Sequence, residues 1–350
     1  MIPVFDGHND FLLRLLENPE DRETIWLKGN GKGHLDLPRM KAGGFAGGFF
    51  AVYIPSHDEN DTTDYEALMN NPPYDLDLPK PIGATVAQPV AAAKIGHLMW
   101  MERTDKLTIC RSVADIRAAM ATGRIAAILH FEGAEAIGED LDALHVWHGV
   151  GLRSVGPVWS RPTIFGHGVP FRFPGSPDTG DGLTETGKRL IRECNALKIM
   201  IDLSHLNEKG FNDIAAISDS PLVATHSNAY AVTPSTRNLT DRQLAMIRES
   251  DGMVGLNFGT VFLNPDGRNA SFEGWDPLLR HLDHLLEHLG ETRVGLGSDF
   301  DGVSVPKAIG DAAGLPRLIE TLKAHDYDEA LITKIAHENW LRVLERTWGE

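Results

Sequence analysis

His8 and Asp10 stand two residues apart in the opening segment Phe5-Asp6-Gly7-His8-Asn9-Asp10. On an extended backbone such residues share a face, so an imidazole and a carboxylate can aim at one point if the strand runs on through Asn9. Four further polar residues each follow an apolar run: Glu132 after "IAAILHF", His205 after "KIMIDLS", His226 after "PLVAT" and Asp299 after "RVGLGS". Imidazoles with carboxylates, and no thiolate among them, suit Zn2+ or a similar divalent ion. Two ions about 3.5–4 Å apart need roughly this many donors with one carboxylate shared between them, and Glu132 is the natural bridge. Taken singly, each residue reads equally well as a polar strand end that caps a loop. Taken together they favour a common task, because buried carboxylates and imidazoles without partners are costly.

The elements that must bring these residues together are short apolar segments alternating with stretches of helical period. Strands are expected at 3–8, 47–54, 125–132, 152–159, 198–205, 221–226, 253–258 and 293–299. Several are apolar almost throughout, as strands buried on both faces are. Helices are expected at 188–198, 208–218, 240–250, 276–289 and 328–348, where apolar residues recur at spacings of three and four. Thr240-Asp241-Arg242-Gln243 has the form of a capping box. Eight strands with crossover helices predict an α/β protein of the (β/α)8 TIM-barrel type, and a chain of 350 residues can form this as a single catalytic barrel domain over 1–350. Such barrels assemble their sites at the C-terminal ends of the strands, where the six residues would converge. The segments 57–80 and 163–184, rich in Gly, Pro, Asp and Asn, read as long loops over that end.

A formal charge of −16 with acidic and basic residues interleaved lacks the basic stripe of a nucleic-acid or anionic-membrane binder. No apolar run approaches the roughly 18 residues of a membrane span and no secretory leader pattern opens the chain, so the expected compartment is the cytoplasm. Cys110 and Cys194 stand alone in their segments, which excludes a disulfide framework and reads as core packing.

Motifs along nearly the whole chain resemble those of the membrane (renal) dipeptidases, binuclear zinc peptidases with soluble bacterial members. They are "FDGHND", "HLDLPRMKAGG", "FEGAEAIG", "DLSHL", "ATHSNA", "RNLTD", "GLNF", "GLGSDFDG" and "NWLRVL", in family order. The resemblance implies two zinc ions per chain, one held by His8 and Asp10, the other by His205 and His226, with Glu132 bridging. It implies a metal-bridging hydroxide as nucleophile, Asp299 as the proton-transfer group and Arg237 as the holder of the substrate carboxylate. The expected partner is a dipeptide, with a homodimer left open. Two positions depart from the family's mammalian members: Trp159 stands where they carry a substrate-contacting histidine after the fourth strand, and Gly259 where they carry a tyrosine after "NF". Both bear on the pocket more than on the metals. A binuclear barrel hydrolase of another amide, lactone or ester is the alternative enzyme, and a metal-binding scaffold without turnover the alternative of another class.

Three histidines at helical spacing, His281, His284 and His288, read as a solvated helix face, as do His145 and His148. His130, two residues before Glu132, reads as a hydrogen-bonded core histidine. "GLGSDFDG" lacks the third glycine of a dinucleotide loop, since Phe300 stands there.

Overall fold

The computed structural model describes residues 1–56 and 63–349. β1 (Val4–Asn9), β2 (Phe45–Tyr53) and β3 (Ile125–Glu132) are buried along nearly their whole length. They are followed by β4 (Leu152–Gly156), β5 (Met200–Ile201), β6 (Val223–Ala224), β7 (Met253–Asn257) and β8 (Val294–Gly297). All eight pair in parallel in chain order, β8 returns to β1, and a bridge between Asp202 and Val223 joins β5 to β6. The result is the expected (β/α)8 barrel. A short additional strand, Leu107–Ile109, pairs with the start of β3 beneath β4.

Several ladders stop sooner than the apolar runs suggest. The segments expected to be strands through His205, His226, Trp159 and Asp299 end at Ile201, Ala224, Gly156 and Gly297. Side chains explain this between β5 and β6. Asp202 Oδ1 accepts from the backbone nitrogens of Ser204 and Thr225 at 3.1 and 2.9 Å, and Ser204 Oγ accepts from that of His226 at 3.0 Å. Polar side chains that serve the backbone locally replace the strand partner. At the β8 end, Ser298 donates to Asp6 through its backbone nitrogen and hydroxyl, at 2.6 and 2.8 Å.

The expected helices form with small shifts of boundary, and the Thr240–Gln243 capping box closes reciprocally. The stretch 328–348 is interrupted by a π-helical turn at Lys334–Glu338, after which Asn339 donates to the carbonyls of Glu291 and Val294 at 2.7 and 2.8 Å. The next residue, Trp340, is fully buried beneath the strands and donates to Leu296 O at 3.0 Å. Gly7, Gly255 and Gly295 surround its indole, and a methyl group added at any of them would collide with it. The strands lack side chains there because the indole fills that space.

The two long excursions meet. Among the described residues of 57–80, Tyr74–Asp75 pairs antiparallel with Arg172–Phe173 of the other loop, while 57–62 lie outside the described residues. Tyr74, Leu76, Phe173, Val261 and Phe262 pack into a small apolar cluster over the barrel. Among the described residues no helix is long and apolar enough to cross a membrane.

Trp340→Ala would leave a void that rigid strand backbone cannot fill. It should cost about 3–5 kcal/mol, the range for truncating a buried aromatic, read as a lower urea midpoint with little change in m value. A loss under about 1 kcal/mol would show that the barrel floor does not depend on the indole.

Candidate active site

The strand ends converge on one point. His8 lies within β1, Asp10 directly after it and Glu132 at the last position of β3; His205, His226 and Asp299 lie just beyond β5, β6 and β8. All six are buried. Glu132 divides its carboxylate: Oε2 is 3.6 Å from His8 Nε2, while Oε1 is 2.9 Å from His205 Nε2 and 3.6 Å from His226 Nε2. His8 Nε2 is also 3.5 Å from Asp10 Oδ2, and the Nε2 atoms of His205 and His226 are 3.1 Å apart. Neither ring nitrogen of His8, nor Oδ1 of Asp10, has a hydrogen-bond partner among the described residues. His8, Glu132 and His226 form one group of convergent ligand atoms, and His8, Asp10 and Asp299 another. Buried donors of these types, aimed at each other and unpaired, fit a pair of divalent cations.

Outer partners set the imidazoles. Ser204 Oγ and Thr225 Oγ1 each spend their proton on Asp202, both at 2.6 Å, so Thr225 Oγ1 must accept from His226 Nδ1 at 2.8 Å. That leaves the lone pair of His226 on Nε2, facing the site, the arrangement that holds a ligating histidine. Ser160 Oγ lies 3.1 Å from His205 Nδ1. Gly302 sits against Asp10 and Asp299, where a methyl group would collide with both carboxylates. Asp299 has a positive φ of 57°, and its Oδ2 accepts from Asn257 Nδ2 at 2.8 Å. His130, held to Ser154 Oγ at 2.9 Å, is the buried core histidine expected.

Charges respond to this crowding. Burial works against protonation of His8, but Glu132 and Asp10 outweigh it and raise its pKa well above the usual value. His205 and His226 are held well below theirs, by burial and then by the positive charges of Arg237 and His8. Burial raises Glu132 to about 7, against the pull of His8, and raises Asp299 as well.

Arg237 is no surface residue. It is buried against the cavity, donates to Ser204 O and, at 3.3 Å, to His226 O, and lies 5.3 Å from the Phe262 ring centroid. Burial lowers its pKa to about 10, opposed by Asp299, Glu132 and Asp202, which leaves it cationic at neutral pH. Arg237, Asp10, Glu132, His205 and Asp299 line a cavity of about 180 Å³, closed on one side by Tyr53, Trp159, Phe171 and Phe262. A larger side chain at Gly259 would meet the Phe262 ring, so that aromatic residue occupies the neighbouring space.

The wall around Trp159 has supports that went unassigned in the sequence. Arg161, fully buried, donates from Nε to Glu135 Oε1 at 2.7 Å, from Nη1 to Ser56 Oγ at 2.6 Å and from Nη2 to Ile54 O. Its guanidinium lies 5.4 Å from the Tyr53 ring and 5.5 Å from the Trp159 ring, and Lys94 Nζ lies 5.5 Å from the Tyr53 ring. Glu135 falls inside "FEGAEAIG" and Arg161 one residue past Ser160, but a sequence does not say which charges are buried.

The sequence model of the membrane dipeptidases, peptidase family M19, matches residues 1–348. The chain belongs to this family. Membership places it among the metal-dependent dipeptidases, a group of hydrolases. A metallopeptidase from Rhodobacter sphaeroides, liganded with a phosphinate mimic of the dipeptide L-Ala-D-Ala, superposes with a TM-score of 0.97 at 67% identity over 99% of both chains. Dipeptidase AC, a metallopeptidase of family M19, gives the same TM-score and identity over 100% of this chain and 99% of its own. A protein from the pqqA 5′ region of Klebsiella pneumoniae is 50% identical over 245 residues, 70% of this chain and 90% of that one.

Glu132→Gln tests the shared carboxylate. A neutral amide bridges two cations poorly, so if the carboxylate serves two ions the variant should lose both equivalents of metal together on dialysis, by elemental analysis, while its circular dichroism stays that of the wild type. Stepwise loss of one equivalent would assign Glu132 to a single ion.

Proposed function

We propose that the chain is a zinc-dependent dipeptidase that acts, as one catalytic barrel, on small dipeptides with a free C-terminal carboxylate. The observation that carries this reading is the divided carboxylate of Glu132, with one oxygen toward His8 and the other toward His205 and His226. In this reading His8 and Asp10 hold one ion, His205 and His226 the second, and Glu132 spans both. Ions bound there would polarise the scissile carbonyl and lower the pKa of water from about 15.7 to about 7.

The chain's own residues do the rest. Asp299, beside Asp10 and oriented by Asn257, takes the proton of the attacking water and passes it to the leaving amine. Arg237 receives the substrate carboxylate, for which a planar cationic fork is suited. Trp159, backed by Arg161, flattens the wall where a polar group would otherwise reach the substrate. The L-Ala-D-Ala mimic bound by the Rhodobacter relative supports including a D-residue at the second position.

Asp299→Asn removes proton transfer with little change in volume, so kcat should fall by roughly 10²–10⁴ while metal content holds. A near-normal kcat would take Asp299 out of the mechanism.

The reading as a whole is tested by the substrate's carboxylate. Zinc-loaded wild type should hydrolyse Ala-D-Ala and suffer about 1.5–3 kcal/mol in kcat/KM when that carboxylate is amidated, the scale of a hydrogen bond to a charged group. Arg237→Ala should show almost no such penalty and Arg237→Lys an intermediate one. Equal penalties in wild type and Arg237→Ala would move the carboxylate elsewhere, and hydrolysis of lactones or esters in preference to any dipeptide would replace the reading with the broader hydrolase.

A further inference from the structure

Away from the cavity, the described residues hold one other group of three convergent metal-binding side chains, and it lies where the sequence suggested a plain solvated helix face. His281 is not on that face at all. It is buried, its Nδ1 accepts from Ala229 N at 3.1 Å, and burial lowers its pKa to about 3. His284 and His288 remain partly exposed, one turn apart on the helix Asp276–Leu289, with rings stacked 4.2 Å centroid to centroid at 19°. The helix Asp241–Glu249 packs against this one. Its first residue, Asp241, reaches across with Oδ1 2.8 Å from His284 Nε2 and Oδ2 3.6 Å from His288 Nε2.

An ordinary ion pair accounts for His284 alone. It does not account for a second imidazole laid flat on the first, with its Nε2 turned to the other carboxylate oxygen at 3.6 Å, too far for a hydrogen bond between them. His288 Nδ1 lies 3.3 Å from the carbonyl oxygen of His284. A carbonyl can only accept, so Nδ1 donates to it and Nε2 is the ring nitrogen left toward Asp241. A backbone carbonyl on the far nitrogen is the usual support of a ligating histidine. The three ligand atoms lie within 4.8 Å of one another, and the side chains are 17%, 29% and 52% exposed for His284, His288 and Asp241, which opens the group to ions from solvent.

We infer that Asp241, His284 and His288 form a separate divalent-metal site that clips the two helices together. Two imidazoles and one carboxylate suit zinc and its transition-metal neighbours over magnesium or calcium. Solvent completes the coordination, and Arg248, whose Nη1 donates to His288 O at 3.2 Å, places a positive charge nearby. Both make the site weaker than the buried pair. Asp241 lies four residues beyond Arg237 in one continuous segment, so an ion here fixes the segment that carries that arginine into the cavity.

Protein loaded with zinc and dialysed free of excess is titrated with further zinc, with the free ion read by a competing chelating dye and Tm followed in parallel. Wild type should take up one additional equivalent per chain and gain in Tm. His288→Ala and His284→Asn should each lose both effects while keeping the zinc retained after dialysis, and Glu287→Ala, a change on the same helix, should lose neither. Absence of the additional equivalent in wild type, its survival in both histidine variants, or uptake without a gain in Tm would overturn the inference. The count stands apart from what the buried centre catalyses, so failure here leaves the dipeptidase reading untouched.

Discussion

Glu132 is buried with its two oxygens turned toward different histidines, and a carboxylate so placed imposes a cost that the surrounding elements must meet. Much of the local structure follows from it. Two of the imidazoles that turn Nε2 toward it have a hydroxyl against the far nitrogen. Thr225, anchored by Asp202, serves His226, and Ser160 lies against His205. The same Asp202 and Ser204 take over the backbone groups that strand partners would have satisfied. The shortness of β5 and β6 and the aim of the histidines are therefore one arrangement.

The aromatic wall answers a different demand. Tyr53 and Trp159 come from the ends of β2 and the region after β4, and nothing in a strand ladder would keep their rings in place there. Arg161 does so by bonding to the Ile54 carbonyl and to Ser56 while lying near both rings. A buried guanidinium needs a counter-charge, and Glu135, three residues past Glu132, provides it. Breaking such a pair leaves a lone buried charge, at a cost of about 3–5 kcal/mol, so the wall is tied to the stability of the barrel. Trp159 thus keeps its place in the wall through a guanidinium that is itself held from three sides.

The barrel was legible in the sequence because its strands are apolar on both faces and its helices keep a clean period. Polar residues at the strand ends pointed to the cavity for the same reason: in "IAAILHFE" only His130 and the closing carboxylate interrupt a buried apolar run. Strand lengths were misread where Asp202, Ser204 and Thr225 bond locally, since those residues look alike in a strand and in a loop. His281 was misread because its helix buries a wider face than the leucines alone define. Lys94, fully buried on the helix Ala84–Arg103 with no hydrogen-bond partner for Nζ among the described residues, gave no sign in the sequence either. A charged residue's burial is decided by partners far along the chain.

The indole of Trp340 has a consequence for the order in which the molecule can be completed. β1 is synthesised first, yet its lateral partner is β8, and the space beside Gly7 is filled by a residue some 330 positions later. While the chain emerges from the ribosome, the early strands therefore have an open edge and a hollow interior. Closing the ring and filling it happen almost together, when β8 and Trp340 arrive. A chain stopped before that point would keep its helices' local structure and expose the strand edge of β1, which makes truncated products natural clients for chaperones and proteases.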